Sequence, residues 1–424
     1  MVNHERLRRY LKQFATFNDN RDDHGVTRLG YTLQERQAHA FFSREMSKLG
    51  AQVYSDNAGN TIAEFAGTRS TAPALACGSH LDSVEHAGRF DGVAGVIAAM
   101  EIAHIRASET ETAWNHPLKI VVFATEEGAR FGQACVGSRI AARLHTSESL
   151  SQLSDATGIS AFRAMQELGL NPNDLAAAQW QPHEWKAFIE LHIEQGPSLD
   201  KSGFDAGIVS TISGSTRLSF TFTGVASHSG GTPMRIRRDA LAGAAEFLVA
   251  AEEYALQRAP LDFLDPGLRI TTGQLSVEPG GITTIPGVCT LSVDIRGVVD
   301  TVQQECAHDL MNLAHRIANH RQLECSCHHV SEVLPEHLSA DVQQVLHDAA
   351  HECGTRVCTM VSGASHDAQI IQRICPSGIV FIPSLNGGVS HSPHELSRVS
   401  DLATGVKILY SALRKLDTLQ DCGG

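Results

Sequence analysis

The stretch GSHLDSVEHAGRFDGVAGV, residues 78–96, directly follows an apolar run at 74–77. It sets several ionisable side chains among glycines and small residues: His80, Asp82, Glu85, His86 and Asp91. An apolar run of this kind is typical of a buried strand. A buried strand followed by so much charge and flexibility indicates either a solvated loop or one part of a metal site.

Length and composition narrow the class of protein. The chain has 424 residues, of which 42% are hydrophobic and 19% charged, and its formal net charge is −13. This length predicts more than one domain. The negative charge disfavours a nucleic-acid partner and favours a small-molecule ligand. Residues 1–14 lack the apolar segment of a signal peptide, and no apolar run is long enough to span a bilayer, so we expect a cytoplasmic protein without a membrane partner.

Cysteine usage adds one possible metal site. The 10 cysteines are scattered, which fits reduced thiols better than a disulfide framework. The sequence CSCHH at 325–329 has no second spaced pair of the kind that zinc knuckles carry. The alternation of residues around it favours an ordinary strand.

Apolar periodicity predicts an α/β sheet in the first and last parts of the chain. Thr32 and Glu35 form a capping-box pattern before a helix that ends at Gly50, and a second helical pattern covers 93–107. Short apolar runs bounded by turn residues predict strands at 75–78, 120–125, 188–193 and 379–383. In open α/β sheets ligands bind just outside the carboxyl ends of the strands.

The middle of the chain has a different pattern. Strand-like and helix-like segments follow one another in the order β-α-β-β-α-β between residues 213 and 330, which is the order of a ferredoxin-like domain. We therefore predict one α/β domain built from residues 1–212 and 331–424, interrupted by an inserted ferredoxin-like domain at 213–330.

Histidines and carboxylates recur at the ends of the predicted strands. Each group alone is typical of a solvated turn. Together they supply the nitrogen and oxygen donors that two hydrolytic metal ions need, and they fit Zn²⁺, Mn²⁺ and Co²⁺ alike. In chain order these side chains are His80, Asp91, Glu126, Glu127, His192, Glu194, Gln195, His391, His394 and Glu395.

The adjacent residues Glu126 and Glu127 help to distinguish an enzyme from a protein that only binds metal. Neighbouring carboxylates point in different directions, so one can bind a metal while the other faces a water molecule. A protein that only stores metal needs no such spare base, whereas a hydrolase does. The pair therefore favours a hydrolytic enzyme over a metal-binding protein.

Motifs along nearly the whole chain resemble one family. They are GVTRLGYT, DNAGNTIAEFAG, GSHLDSV, RFDGVAGV, EEGARFG, LHIEQGP, ASHSGGTPM, RRDAL, SGASHDAQ and IPSLNGGVSHSPHE. The set is similar to that of the N-carbamoyl-L-amino-acid hydrolases and allantoate amidohydrolases. This resemblance implies a metallopeptidase-like mixed-sheet catalytic domain with two divalent metal ions, and an inserted domain that dimerises and closes over the substrate as a lid.

The resemblance also implies roles for individual residues. Glu126 is expected to be the general base. Asp91 is expected to bridge two metal ions, with the remaining ligands divided as His80 and His192 for one ion, and Glu127 and His391 for the other.

A further set of residues is expected to bind the substrate. His228 is the expected donor to the tetrahedral oxyanion, within its own subunit or across a homodimer. Arg217 and Arg296 are the expected partners of the substrate carboxylate, because a guanidinium binds a carboxylate in a fixed frame. Gln195 is expected at the substrate or the metal shell. Thr283 and Ser215 replace the family's usual Asn and Gln, which indicates an altered pocket.

The expected reaction is hydrolysis of the carbamoyl amide of an N-carbamoyl-L-amino acid, with release of ammonia and carbon dioxide. Allantoate is the alternative substrate, and an aminopeptidase or dipeptidase is a further alternative. QACVG at 133–137 resembles part of a caspase signature, but Val136 departs from it. No G-x-S-x-G elbow of a serine hydrolase occurs.

Overall fold

The apolar and alternating runs form β-strands in the computed structural model, which describes residues 1–20, 24–109, 113–258 and 267–419. The strands are β1 Gln52–Ser55, β2 Thr61–Phe65, β3 Ala74–His80, β4 Leu118–Phe123, β5 Trp185–Ile193, β6 Ala206–Ile212, β7 Gly214–Thr223, β8 Ser227–His228, β9 Arg269–Thr271, β10 Leu275–Glu278, β11 Thr284–Ile285, β12 Val288–Gly297, β13 Glu324–Val333, β14 Glu336–His337, β15 Val357–Ser362 and β16 Ser377–Ile382.

Helices lie between these strands. They are α1 His4–Phe14, α2 Leu33–Lys48, α3 Val93–Ser108, α4 Val136–Ala141, α5 Ser147–Gln152, α6 Ala161–Glu167, α7 Ser198–Ser202, α8 Ala240–Leu256, α9 Asp300–His320, α10 Ala340–Glu352, α11 Asp367–Ile371 and α12 Val399–Thr418. None of the described helices is long and apolar enough to cross a membrane.

The chain divides into two compact units. One comprises Met1–Ser210 and His337–Gly424, and the other comprises Thr211–Glu336. We call them the sheet unit and the inserted unit. The predicted insert, residues 213–330, lies within the inserted unit.

A mixed sheet organises the sheet unit, with the strand order β1-β2-β4-β3-β5-β16-β6-β14 and β15 paired to β6. β4, β3, β5 and β16 run parallel to one another, and their antiparallel neighbours β2 and β6 flank them. The four parallel strands are almost entirely buried, which explains their continuous apolar runs. The predicted α/β fold with a mixed sheet is confirmed, and the carboxyl ends of four strands meet at one edge.

The inserted unit has a separate core. Its sheet has the order β10-β12-β7-β13, with β9 paired to β12. Inward-facing Phe220 and Phe222 of β7 pack with Phe247 of α8 and Leu310 of α9. The element order and the strand order are those of the ferredoxin-like βαββαβ unit.

The cysteine cluster at 325–329 lies in β13, as its alternation predicts. The side chains of Cys325 and Cys327 pack against the core of the inserted unit. The described residues that are grouped closely enough to hold a metal ion include neither cysteine. The cluster is therefore part of a strand and not of a zinc knuckle.

Candidate metal centre

Asp91 occupies the turn between β3 and α3. Its backbone N–H and that of Phe90 donate to Glu395 Oε1 at 3.1 and 2.8 Å. Gly92 follows in the left-handed region with φ 62°, and a Cβ there would lie 2.4 Å from the His80 ring. Glycine is thus required at this position, and the turn directs the Asp91 carboxylate at the ends of the parallel strands.

The first group of possible metal ligands is His80, Asp91 and His192. Asp91 Oδ1 lies 3.7 Å from His80 Nε2 and 3.2 Å from His192 Nε2. His80 Nδ1 lies 3.1 Å from Asp82 O, and His192 Nδ1 lies 2.9 Å from Ile193 O. A backbone carbonyl accepts only from a protonated nitrogen, so both imidazoles turn Nε2 towards Asp91, and that of His192 also accepts from Gly92 N at 3.2 Å.

The second group is Asp91, Glu127 and His391. His391 Nε2 lies 3.3 Å from Asp91 Oδ2 and 3.2 Å from Glu127 Oε1. Gln195 Nε2 donates to Asp91 Oδ2 at 2.8 Å. Asp91 therefore belongs to both groups and presents one oxygen to each.

The residues present fit a pair of divalent metal ions. Ligand atoms bonded at about 2.0–2.2 Å to one tetrahedral ion lie roughly 3.3 Å apart, close to the separations seen here. Glu127 Oε1 is buried, and its one near contact among the described residues is His391 Nε2, which is itself a candidate ligand. A buried carboxylate with so few partners favours a bound cation. The mixed nitrogen and oxygen donors suit Zn²⁺, Mn²⁺ and Co²⁺, and the identity of the metal stays open.

The charges at the centre also favour the binding of a metal cation. Burial alone would lower the pKa of His80, but the carboxylates of Asp82, Glu126 and Asp91 raise it well above its usual value. Hydrogen bonds to Asp91 and Glu127 raise the pKa of His391 to about 11. Buried carboxylates thus outweigh the buried cationic groups, and this imbalance favours binding of positive charge.

Glu126 lies beside the two groups and is a member of neither. Its Oε2 is 3.7 Å from His80 Nε2, and its Oε1 accepts from Cys135 Sγ at 3.1 Å. Burial raises the pKa of Glu126 well above its usual value, and the charge of Glu127 adds to this effect. A carboxylate with a raised pKa next to a metal centre is suited to accept and return a proton at neutral pH.

Asp82 orients the two glutamates. The N–H groups of Glu126 and Glu127 donate to its two carboxylate oxygens at 3.0 and 2.9 Å. Because both amides bind one carboxylate, the side chains of Glu126 and Glu127 diverge from a fixed backbone. The division of tasks that the sequence predicts for the pair, one glutamate for a metal and one for a water molecule, stays a prediction.

Glu35 supports the same segment from α2. Thr32 caps α2, but the Glu35 carboxylate does not complete a capping box and instead accepts from Tyr31 N at 2.7 Å and Thr125 N at 2.9 Å. Thr125 has a φ of 55°, which is strained for a β-branched residue. Glu35 thus holds the strained residue that precedes Glu126.

We expect Glu35→Gln to destabilise the fold by about 2–3 kcal/mol, because an amide turns one of its N–H groups towards a backbone N–H and leaves it unpaired. Urea unfolding of the metal-loaded protein would measure the change. The exposed Glu148, replaced by Gln, is the matched control and should change stability by less than about 0.5 kcal/mol. Equal stability of the two variants would show that the Glu35 contacts contribute nothing.

A third group of possible ligands, Glu190, His192 and His366, was not predicted from the sequence. Both oxygens of Glu190 are engaged, one by the Ser79 hydroxyl at 2.7 Å and one by Ala368 N at 3.0 Å. The His366 ring packs edge-on against His192, with centroids 4.6 Å apart. These residues therefore form a satisfied network that supports His192.

Several supporting residues also had no predicted role. The Ser390 hydroxyl donates to Glu395 Oε2 at 2.7 Å, and its oxygen also lies 3.1 Å from Asp91 Oδ2, so Ser390 lies between two carboxylates. Glu395 belonged to the predicted set of strand-end side chains but had no predicted function, and Asp82 was noted only as an ionisable residue of GSHLDSV. What could have identified both residues is that each is an acid within a few residues of a predicted metal ligand.

Cys135 does not fit the caspase-like alternative. It is buried, and burial raises the pKa of its thiol well above the usual value. A nucleophilic cysteine needs a thiolate, which burial and the neighbouring Glu126 carboxylate both oppose. The thiol instead donates to Glu126, as described above.

The remaining predicted residues lie in the inserted unit. His228 is exposed, and its Nδ1 accepts from Gly230 N and Gly231 N at 3.1 Å each. Its Nε2 therefore carries the proton and can donate. Thr283 is exposed, and its carbonyl accepts from Ser229 N at 2.9 Å, beside the His228 loop.

Arg217 and Arg296 share one carboxylate. Arg296 Nε lies 2.9 Å from Asp294 Oδ2, and Arg217 Nε lies 3.5 Å from Asp294 Oδ1. The two guanidinium groups are thus neighbours on the face of the sheet that is opposite the core of the inserted unit.

Comparison with known families and proteins shows which family the chain belongs to. Residues 76–415 match the profile of Peptidase family M20/M25/M40. An N-carbamoyl-L-amino acid amidohydrolase of Geobacillus stearothermophilus is 37% identical over 98% of this chain and 99% of its own length. An allantoate amidohydrolase of Bacillus subtilis is 34% identical over 96% of both chains.

Two further comparisons extend to plants and to solved structures. A ureidoglycolate hydrolase of Oryza sativa subsp. japonica is 31% identical over 98% of this chain and 85% of its own length. A crystal structure of an amidase of the hydantoinase/carbamoylase family from Burkholderia multivorans superposes with a TM-score of 0.86 and 29% identity, covering 99% of this chain and 98% of the other. The chain therefore belongs to peptidase family M20/M25/M40 and, within it, to the family of N-carbamoyl-L-amino-acid hydrolases and allantoate amidohydrolases.

Proposed function

We propose that the chain is a two-metal amidohydrolase that cleaves the carbamoyl C–N bond of an N-carbamoyl-L-amino acid and releases ammonia and carbon dioxide. Membership of the family makes it a hydrolase of carbon–nitrogen bonds other than peptide bonds. The observation that carries the proposal is the pair of ligand groups that share Asp91 beside an unshared Glu126.

In this proposal each residue of the centre has one task. His80 and His192 hold one metal ion with Asp91, while Glu127 and His391 hold the other with the same carboxylate. Bound divalent ions would lower the pKa of a water molecule and polarise the carbonyl of the substrate. Gln195 acts on the metal shell, since its amide already donates to Asp91.

Glu126 is proposed to move the proton. Its carboxylate accepts a proton from the attacking water and passes it to the leaving nitrogen, so that ammonia departs as a neutral molecule. Cys135 and the backbone contacts with Asp82 keep this carboxylate in one orientation. The raised pKa of Glu126 matches a group that must both take and release a proton.

The inserted unit is proposed to bind the substrate. The Nε2–H of His228 is a suitable donor to the oxyanion, and Arg217 with Arg296 provides positive charge for the substrate carboxylate. Asp294 offsets part of that charge, which suits a substrate with a single carboxylate. Thr283, beside the His228 loop, is proposed to affect which substrate side chain is accepted.

A homodimer formed through the inserted unit belongs to the same proposal. Met234, Ile236 and Ile282 are exposed apolar side chains of this unit, with 74, 68 and 102% of their surface accessible. A contiguous patch of exposed apolar side chains is typical of a protein interface, and we propose that these three belong to one. Light scattering on the metal-loaded protein should give the mass of a dimer, and a monomer that still hydrolyses substrate would contradict this part of the proposal.

The function is tested by loading metal-stripped protein with Mn²⁺, Zn²⁺ or Co²⁺ and following ammonia release. The panel consists of N-carbamoyl-L-amino acids, allantoate and ureidoglycolate, with dipeptides followed by release of free amine. We expect metal-dependent ammonia from an N-carbamoyl-L-amino acid and loss of turnover on chelation. Cleavage of dipeptides alone would overturn the proposal, and turnover of allantoate or ureidoglycolate alone would replace the substrate.

A further inference from the structure

The outer side of the turn that carries Asp91 forms the wall of a cavity of about 370 Å³. Six of the residues that line it are Arg8, Leu11, Lys12, Arg89, Phe90 and Leu396. We call it the α1 pocket, because α1 supplies three of these residues. Its volume is within the range of roughly 300–1,000 Å³ that small-molecule sites occupy.

Three cationic side chains line the α1 pocket. Those of Arg8, Lys12 and Arg89 are exposed, and none of these side chains makes a hydrogen bond or an ion pair with any other part of the chain that the structure describes. The formal net charge of the chain is −13, so carboxylates are abundant elsewhere. Three unpaired cations around one cavity therefore form a local positive field that attracts a small anion.

The carboxylate in the wall forms no ion pair with these three cations in the part of the chain that the structure describes. Glu395 lines the pocket, but its Oε1 accepts from Phe90 N and Asp91 N, and its Oε2 accepts from the Ser390 hydroxyl. Its oxygens are thus engaged on the side of the metal centre. The positive charge in the pocket is left for a ligand.

The rest of the lining is apolar. Leu11 and Phe90 are each 8% exposed and form the floor, while Leu396 is 41% exposed at the rim. An inorganic anion would leave these surfaces in contact with water. An anion with a hydrocarbon or aromatic portion would cover them as well as pair with the cations.

We propose that the α1 pocket is a binding site for a small organic dianion with an apolar portion, such as a phosphate monoester, and that it is separate from the metal centre. None of the candidate metal ligands lines it. Arg89 precedes Asp91 by two positions, so a ligand in the pocket contacts the outer side of the turn whose inner side faces the metal ions.

Phenyl phosphate is a suitable probe, and calorimetric titration of the metal-loaded protein measures its binding directly. We expect Arg89→Gln and Arg8→Gln each to raise the Kd for phenyl phosphate by about 10- to 100-fold, because each substitution removes one charge-assisted hydrogen bond. Lys407→Gln on α12 removes an exposed cation outside the pocket lining and is the matched control. It should leave the Kd within a factor of about two.

Inorganic phosphate tests the apolar part of the proposal and should bind at least about tenfold more weakly than phenyl phosphate. Equal Kd values for the two anions would overturn the proposed ligand class. Binding that both arginine variants retain at full strength would place the anion at the metal centre and overturn the site, as would an absence of saturable binding. Thermal unfolding of the variants confirms that each is folded before it is titrated.

Discussion

Glu126→Gln should retain its metal and lose turnover by about 10²- to 10⁴-fold, the contribution of a positioned general acid and base. The glutamine has nearly the same shape, and Glu126 belongs to neither group of metal ligands. Its amide cannot accept a proton from water. The measurement is kcat on the best substrate of the panel, together with the metal content of the same samples.

Glu85→Gln is the matched control, because Glu85 is an exposed glutamate in the loop after β3. It should keep both turnover and metal. Turnover of Glu126→Gln at the rate of the unchanged protein, with metal bound, would remove Glu126 from the proton transfer. Loss of metal together with turnover would instead make Glu126 a ligand, which contradicts the division between Glu126 and Glu127.

Asp91→Asn should abolish metal binding and activity together. Asp91 presents one oxygen to each ligand group, and an amide replaces one of those oxygens with a poor ligand. Changing a residue that only supports a metal ligand lowers affinity by about 10–100-fold, so we expect a larger loss here. The metal content of the variant after dialysis against a weak chelator is measured by elemental mass spectrometry.

Asp341→Asn, at an exposed position in the first turn of α10, is the control for the loss of one negative charge. It should bind metal as the unchanged protein does. If Asp91→Asn kept its full metal content, Asp91 would not be a ligand shared by the two groups, and the proposed centre would be wrong.

The sequence predicted the parts of the site that parallel strands place together. His80, Glu126, Glu127 and His192 each follow or end a buried strand of the parallel core, and His391 follows the last one. Parallel neighbours end at one edge, so a periodicity argument is sufficient to bring these side chains together. The family resemblance added their expected roles.

The contacts that orient these residues were not predictable in the same way. Glu35 looked like half of a capping box, yet its carboxylate binds Thr125 N, 90 positions away. The Asp82 carboxylate binds two amides at the end of another strand. Such bonds depend on where a side chain points after folding, and neither periodicity nor spacing along the chain encodes that direction.

The bond between Asp91 N and Glu395 Oε1 joins residues 304 positions apart, and Asp91 and His391 are separated almost as widely. Synthesis on the ribosome proceeds from the N-terminus, so a nascent chain carries His80 and Asp91 long before the segment that completes their surroundings. Contacts of such long range also carry a large loop-closure entropy, which slows their formation. Tight metal uptake should accordingly be one of the last events in the maturation of the protein, and an incomplete chain should not retain the ions.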